Sequence, residues 1–230
     1  MAFRIAQYGR GPVALATLLL AAATAGVMLL AWRSNAWLAG LVAVPVAVWV
    51  WVLWFFRDPH RTPPQGEGLL VSCADGRVAD ITPIGPESEL GRPGVRVGVF
   101  MNVLNVHVNR SPCDGRVEEV LHRPGRYLDA RDPHASEHNE SASIRLACEH
   151  RGASYPVVVR QVAGYVARRI VTDLVEGQTL RRGQRIGMIR FGSRLEVLAP
   201  TELAAEVRVA VGDAVRAGET VLLSAGDERT

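Results

Sequence analysis

The sequence predicts a mainly β domain of α+β class behind an N-terminal hydrophobic helical hairpin, and three observations carry that prediction. Two uncharged apolar stretches of 20 residues stand near the start, Val13 to Trp32 and Trp37 to Phe56. From about Gly68 the chain turns to short Val, Ile and Leu alternations broken by Gly, Pro, Asp and Asn, as in Val95-Arg96-Val97-Gly98-Val99-Phe100, which is the pattern of short strands. Within that part, glycine-bounded segments recur. Gly177 to Ile186 is echoed by Gly212 to Val221, and Ala74-Asp75-Gly76-Arg77-Val78 by Cys113-Asp114-Gly115-Arg116-Val117.

Residues 1–57 form the hairpin. Each apolar stretch is long enough to cross a hydrocarbon core of about 30 Å, and the short polar connector Arg33-Ser34-Asn35-Ala36 suits a tight turn. Arg4, Arg10, Arg57 and Arg61 lie outside the hairpin against Arg33 in its turn, so the positive-inside bias predicts both ends, and the domain that follows, on the cytoplasmic face of the cell membrane. Trp37, Trp49, Trp51 and Trp54 fall mostly near the ends of the second stretch, as interfacial anchors do. Pro45 interrupts that stretch, which leaves open whether the hairpin spans the bilayer or dips into one leaflet. A cleaved signal peptide is disfavoured by the second stretch and the missing small-residue cleavage site. Residues 58–67 read as a stiff, proline-rich linker.

Residues 68–230 form the domain, a barrel or sandwich of quasi-repeated hairpins. The glycine units are turns that feed strands, and their similarity to biotinyl and lipoyl domains is architectural only. The polar segment from Arg126 to Ser143 reads as an exposed loop or short helix. It contains His134, His138 and several acids, but no ligand spacing, so no metal is expected.

Composition narrows the function. The chain has 230 residues, 26 basic and 23 acidic, and every basic residue is Arg. The first 57 residues carry a charge of +4 and the remainder −1, so a nucleic-acid partner is not expected. The absence of Lys excludes a Schiff base to pyridoxal phosphate and attachment of biotin or lipoate. Cys73, Cys113 and Cys148 show no CxxC and read as small core residues.

Three polar residues stand among apolar neighbours. Asp75 lies in a tight turn after Leu69-Leu70-Val71; strand alternation puts His107 on one face with Asn105 and Asn109; Ser193 follows Gly192 between two strand-like runs. An acid, an imidazole and a hydroxyl allow a nucleophile, base and orienter. Each also has a plain reading, as a turn aspartate, a satisfied core histidine and a bulge. A membrane-anchored serine hydrolase would use the same three residues but lacks the Gly-x-Ser-x-Gly elbow. A non-enzymatic tethered barrel adaptor would leave the His107 and Ser193 segments without purpose.

Three longer segments discriminate. Arg185-Ile186-Gly187-Met188-Ile189-Arg190-Phe191-Gly192-Ser193-Arg194 resembles the self-cleavage segment of the short bacterial and archaeal phosphatidylserine decarboxylases. Phe100 to Pro112 and Gln161 to Ile170 are similar to segments of the same family, as are the hairpin and Phe55-Phe56-Arg57-Asp58-Pro59. The resemblance implies a proenzyme cut between Gly192 and Ser193 into chains 1–192 and 193–230 that remain associated. It implies a covalent pyruvoyl group made from Ser193, with no pyridoxal phosphate and no metal, that forms a Schiff base with phosphatidylserine and yields phosphatidylethanolamine. It assigns an Asp-His pair, Asp75 and His107, to the base function, and His107 to protonation. Longer members carry a second histidine where this chain has Arg110. Arg110, Arg168 and Arg169 are candidate contacts to the substrate carboxylate or phosphate, with an ion pair or a solvated basic pair as the alternative. Association of several copies is left open.

Overall fold

The computed structural model describes residues 4–132, 134–165, 170–190 and 192–226, in two compact units, Met1–Pro59 and His60–Thr230. In the first unit, α1 (Arg10–Arg33) runs for 24 residues, about 36 Å at the helical rise. A 3-10 segment over Ala36–Val42 leads into α2 (Ala43–Phe55). The second apolar stretch is therefore two helical segments rather than one. Their junction lies just before Pro45, which sits in the first turn of α2, where a missing N–H breaks no intrahelical bond. Trp49 Nε1 donates to Thr17 Oγ1 at 3.0 Å across the hairpin. Leu18, Leu30, Trp32 and Val44 are exposed, so the hairpin presents apolar surface and both helical stretches are long enough to cross a membrane.

The second unit contains β1 (Leu69–Val71), β2 (Gly76–Ile84), β3 (Gly94–Met101), β4 (Val108–Arg110), β5 (Gly115–Arg123), α3 (Ala135–His138), β6 (Ser141–His150) and β7 (Ala153–Val162). After these come β8 (Ile170–Val171), β9 (Thr179–Leu180), β10 (Arg185–Ile189), β11 (Ser193–Pro200), β12 (Glu206–Val207), β13 (Ala214–Val215) and β14 (Val221–Ser224). Among the described residues, eight strands form an antiparallel sheet curled into a half-barrel, in the order β13-β2-β3-β11-β7-β6-β5-β9. Two three-stranded sheets, β1-β14-β12 and β4-β10-β8, complete the unit.

The central strand β11 is buried along its whole length. Its Leu195, Val197 and Ala199 join Val97, Val99, Met101, Val157 and Val159 in one apolar core, as period-two alternation requires. Cys73, Cys113 and Cys148 are free thiols in that core, and burial pushes the Cys73 thiol up.

The sequence repeats become a structural repeat. Residues 68–78 recur 39 positions later as 107–117 with the same hydrogen bonds. Val71 N–H donates to the Pro112 carbonyl and Arg110 N–H to the Cys73 carbonyl; Gly218 N–H donates to the Ser72 carbonyl and Gly183 N–H to the Ser111 carbonyl. Strand pairing follows suit, with β13 on β2 through Val215 and Gly76, and β9 on β5 through Leu180 and Gly115. The turn glycines Gly177, Gly183, Gly212 and Gly218 all have φ between 75° and 96°, a conformation that costs a side-chain-bearing residue energy.

Residues 61–66 are tied down along their length, because Arg61 bridges Asp75 (2.6 Å) and Glu219 (3.0 Å), and Arg182 donates to the Pro64 and Gly66 carbonyls at 2.8 Å. The polar segment 126–143 contains the short helix α3 and is only partly exposed. Ala130, Ala135, Ser136 and Asn139 are buried, and Asn139 Nδ2 donates to the Leu128 and Ala163 carbonyls.

Candidate functional site

Ser193 opens β11 opposite Met101 of β3 and is fully buried, yet among the described residues its Oγ has no hydrogen-bond partner. A buried hydroxyl without a partner costs about 1–3 kcal/mol, so a structural role does not explain this serine. The preceding Gly192 has φ +63°, in the left-handed region that favours glycine. Its carbonyl packs directly on Gly164, where an added Cβ would overlap the Gly192 oxygen. Gly164 lies inside a segment that the resemblance named, but no local signal marks it, because its requirement comes from a residue 28 positions away.

His107, fully buried, lies just before β4. Its Nδ1 is 2.8 Å from the Ile189 carbonyl and its Nε2 3.0 Å from the Asn102 carbonyl. These contacts tie the ring to the β10 end that leads to Gly192 and to the residue after Ser193's strand partner. Both partners are acceptors, so both bonds form only when both ring nitrogens carry protons; a neutral ring donates to one. The ring is thus fixed between the strand end that leads to Gly192 and the turn that follows Met101, the strand partner of Ser193.

Asn109 and Gln161 extend the polar neighbourhood. Gln161 Nε2 donates to Asn109 Oδ1 at 2.8 Å, and Asn109 Nδ2 approaches Met101 Sδ at 3.9 Å. Gln161 Oε1 is buried without a partner among the described residues. Alternation had placed Asn109 with His107, whereas Gln161 within the apolar run Val157 to Ala163 was not singled out. Asn105 caps a turn instead of joining that face, since its Oδ1 accepts from Asn102 N–H.

The other predicted residues fall elsewhere. Asp75 is held in the turn that leads into β2. Its Oδ1 accepts from Ala217 N–H at 2.8 Å and its Oδ2 from Arg61. The repeat explains this placement, because Asp114 accepts from Arg182 N–H in the equivalent turn. Arg110 is buried at the meeting of the two repeats. It donates to the Gly183 carbonyl at 2.9 Å, and its Cδ lies against Gly218. Arg168 and Arg169 lie outside the described residues.

On the opposite face of β11, Arg194 Nε donates to Glu196 Oε1 at 2.8 Å, and Arg160 and Ser136 also bind Glu196. Burial works against ionisation of Glu196, but Arg194, Arg160 and Ser136 outweigh it and hold the carboxyl below its usual range. This network fixes the residue after Ser193. The sequence reading had not assigned it a role.

A serine hydroxyl next to a sterically gripped glycine carbonyl can attack that carbonyl, and a fixed imidazole can move the proton. Residues 49–223 match the sequence profile described as phosphatidylserine decarboxylase. The chain is also similar to the phosphatidylserine decarboxylase proenzyme of Nitrobacter winogradskyi, with 44% identity over 194 residues, covering 83% of this chain and 74% of the relative. Ser193, Gly192, His107 and Gly164 all fall inside the matched span, and the chain belongs to the phosphatidylserine decarboxylase family.

Proposed function

We propose that this chain is a membrane-associated decarboxylase that converts phosphatidylserine to phosphatidylethanolamine after cutting itself between Gly192 and Ser193. Family membership supports the reaction, and the buried, unpartnered Ser193 hydroxyl after the gripped Gly192 carbonyl carries the self-cleavage. Ser193 Oγ attacks the Gly192 carbonyl carbon, the C–N bond breaks, and the hydroxyl proton passes to the freed amine. Loss of the Ser193 α-proton then breaks the Cβ–O bond, so the serine oxygen leaves as part of the new Gly192 carboxylate. Water hydrolyses the remaining enamine and releases ammonia, leaving a pyruvoyl group.

The residues present fit that group, because Ser193 starts a buried strand anchored on both sides and the chain has no lysine for an alternative carbonyl cofactor. The pyruvoyl carbonyl supplies the electron sink for decarboxylation. His107 serves as the proton carrier, oriented by the Ile189 and Asn102 carbonyls. Asp75 acts as a positioning residue, since it fixes the turn whose Cys73 carbonyl accepts from Arg110 N–H at the end of β4, and Arg110 positions the same strand through the Gly183 carbonyl. Arg168 and Arg169 are proposed as contacts to the lipid phosphate. Residues 193–200 pair with β3 and β7, which supports continued association of the two chains after the cut. The hairpin and its flanking arginines support the cytoplasmic face of the cell membrane as the location.

Replacing Ser193 tests this reading. Ser193→Ala should appear as one full-length band on denaturing electrophoresis and show no turnover. Normal cleavage in that variant would move the site elsewhere.

A further inference from the structure

The loops flanking the reacting bond carry exposed apolar side chains. Val103 and Leu104 are 40% and 59% exposed in the turn after β3, and Tyr165 is 71% exposed directly after Gly164. The first turn is built and not frayed, since Asn102 Oδ1 accepts from Leu104 N–H at 2.8 Å and Asn105 Oδ1 from Asn102 N–H at 2.9 Å. The Asn102 carbonyl of that same turn meets His107, and Gly164 grips the Gly192 carbonyl. Exposed apolar side chains therefore sit within a few residues of both halves of the site, aliphatic at Val103 and Leu104 and aromatic at Tyr165.

The repeat provides an internal control. β6 matches β3, with Cys148 standing where Met101 stands, as the equal pairings of β5 with β6 and β2 with β3 require. The turn equivalent to Asn102-Val103-Leu104 is thus Glu149-His150-Arg151. β7 and β11 correspond likewise, and the position equivalent to Gly164, two residues past the strand end, is Glu202. The fold accepts His150 and Arg151 at the positions of Val103 and Leu104, so the exposed apolar pair belongs to the side that carries Ser193; the position equivalent to Tyr165 is Leu203, which is buried instead of exposed.

We propose that Val103, Leu104 and Tyr165 form a lip that enters the interface of a phospholipid bilayer and presents the site to its lipid. The occupant follows from chemistry. A tether alone brings a domain to a membrane without orienting it, whereas a phospholipid headgroup must reach Ser193 while its acyl chains remain in an apolar phase. A built apolar turn beside the reacting residues meets that need, with Tyr165 supplying the amphipathic ring common at such interfaces. This inference rests on the lipid substrate proposed above.

The test uses the full chain reconstituted through its hairpin into vesicles containing phosphatidylserine. A polarity-sensitive fluorophore is placed on Leu104→Cys and, separately, on the equivalent Arg151→Cys; the native cysteines are buried. Quenching by spin-labelled lipids should occur at position 104 and not at 151. Equal water exposure of both labels would overturn the lip. In a second arm, Leu104→Ser should reduce turnover of vesicle-borne phosphatidylserine about tenfold more than turnover of a monomeric short-chain analogue, the loss expected for about 1.4 kcal/mol of interfacial burial. Equal losses on the two substrates would also overturn it. Quenching is read without turnover, so a vesicle-bound chain that quenches at 104 but never decarboxylates would sink the proposed function and leave the lip standing.

Discussion

The domain contains the same local frame twice, and only one copy carries the groups proposed to react. Around Ser193 the frame holds Met101, His107, Asn109 and Ile189; at the equivalent positions the other copy holds Tyr155, Cys148, Gly68, Leu70 and Ala225. Where His107 faces the Ile189 carbonyl, Gly68 accepts an ordinary backbone bond from Ala225 N–H. Where Arg110 is buried, the other copy has the apolar Val71. The repeated turns and strand pairings are therefore architecture, and the proposed chemistry falls on the few positions where the copies differ.

That contrast can be broken most strongly at Gly164. Gly164→Ala should displace the Gly192 carbonyl and slow self-cleavage about a hundredfold, the scale of a misplacement near 1 Å. Glu202→Ala, at the equivalent position, should leave cleavage unchanged in the same time course. Equal behaviour of the two variants would remove the steric grip from the account.

The paired aspartates sharpen it next. Asp75 is mostly buried against Arg61, whereas the side chain of Asp114 is 69% exposed. Asp75→Asn should cost about 1–3 kcal/mol by thermal or urea unfolding, and Asp114→Asn within about 0.5 kcal/mol. Lost self-cleavage in Asp75→Asn at unchanged stability would return Asp75 to the chemistry as a direct participant.

A smaller effect lies in the pH dependence of stability. The folded carboxyl of Glu196 is held below its unfolded value, so its contribution is complete above the usual carboxylate range and is lost as pH falls through the lowered folded value. Acid unfolding of the wild type should therefore steepen in that acid range, and Glu196→Gln should flatten the dependence. A variant with an unchanged acid profile would show that the network does not hold Glu196 charged.

Much of this was legible in the sequence because it is local. The glycine turns announce their own φ, the hairpin its own length, and the strings around His107 and Ser193 the family chemistry. What was hidden depends on distant partners. Asp75 reads as half of an acid-imidazole pair until Arg61, 14 residues earlier, and Ala217, 142 later, claim its oxygens. Gly164 looks like any turn glycine until Gly192 arrives against it. The exposure of Val103 and Leu104 has no local signal, because periodicity cannot tell an apolar side chain that faces the core from one in a turn closed by two asparagine caps.

The central claim is that Ser193, alone among the equivalent positions, becomes the start of a new chain. Intact-mass measurement of the active wild-type protein under denaturing conditions tests it most directly. The account predicts one chain ending at Gly192 as a free carboxylate and a second covering residues 193–230, lighter by one ammonia than the peptide beginning with serine. A single unmodified chain of 230 residues in a fully active preparation would contradict it.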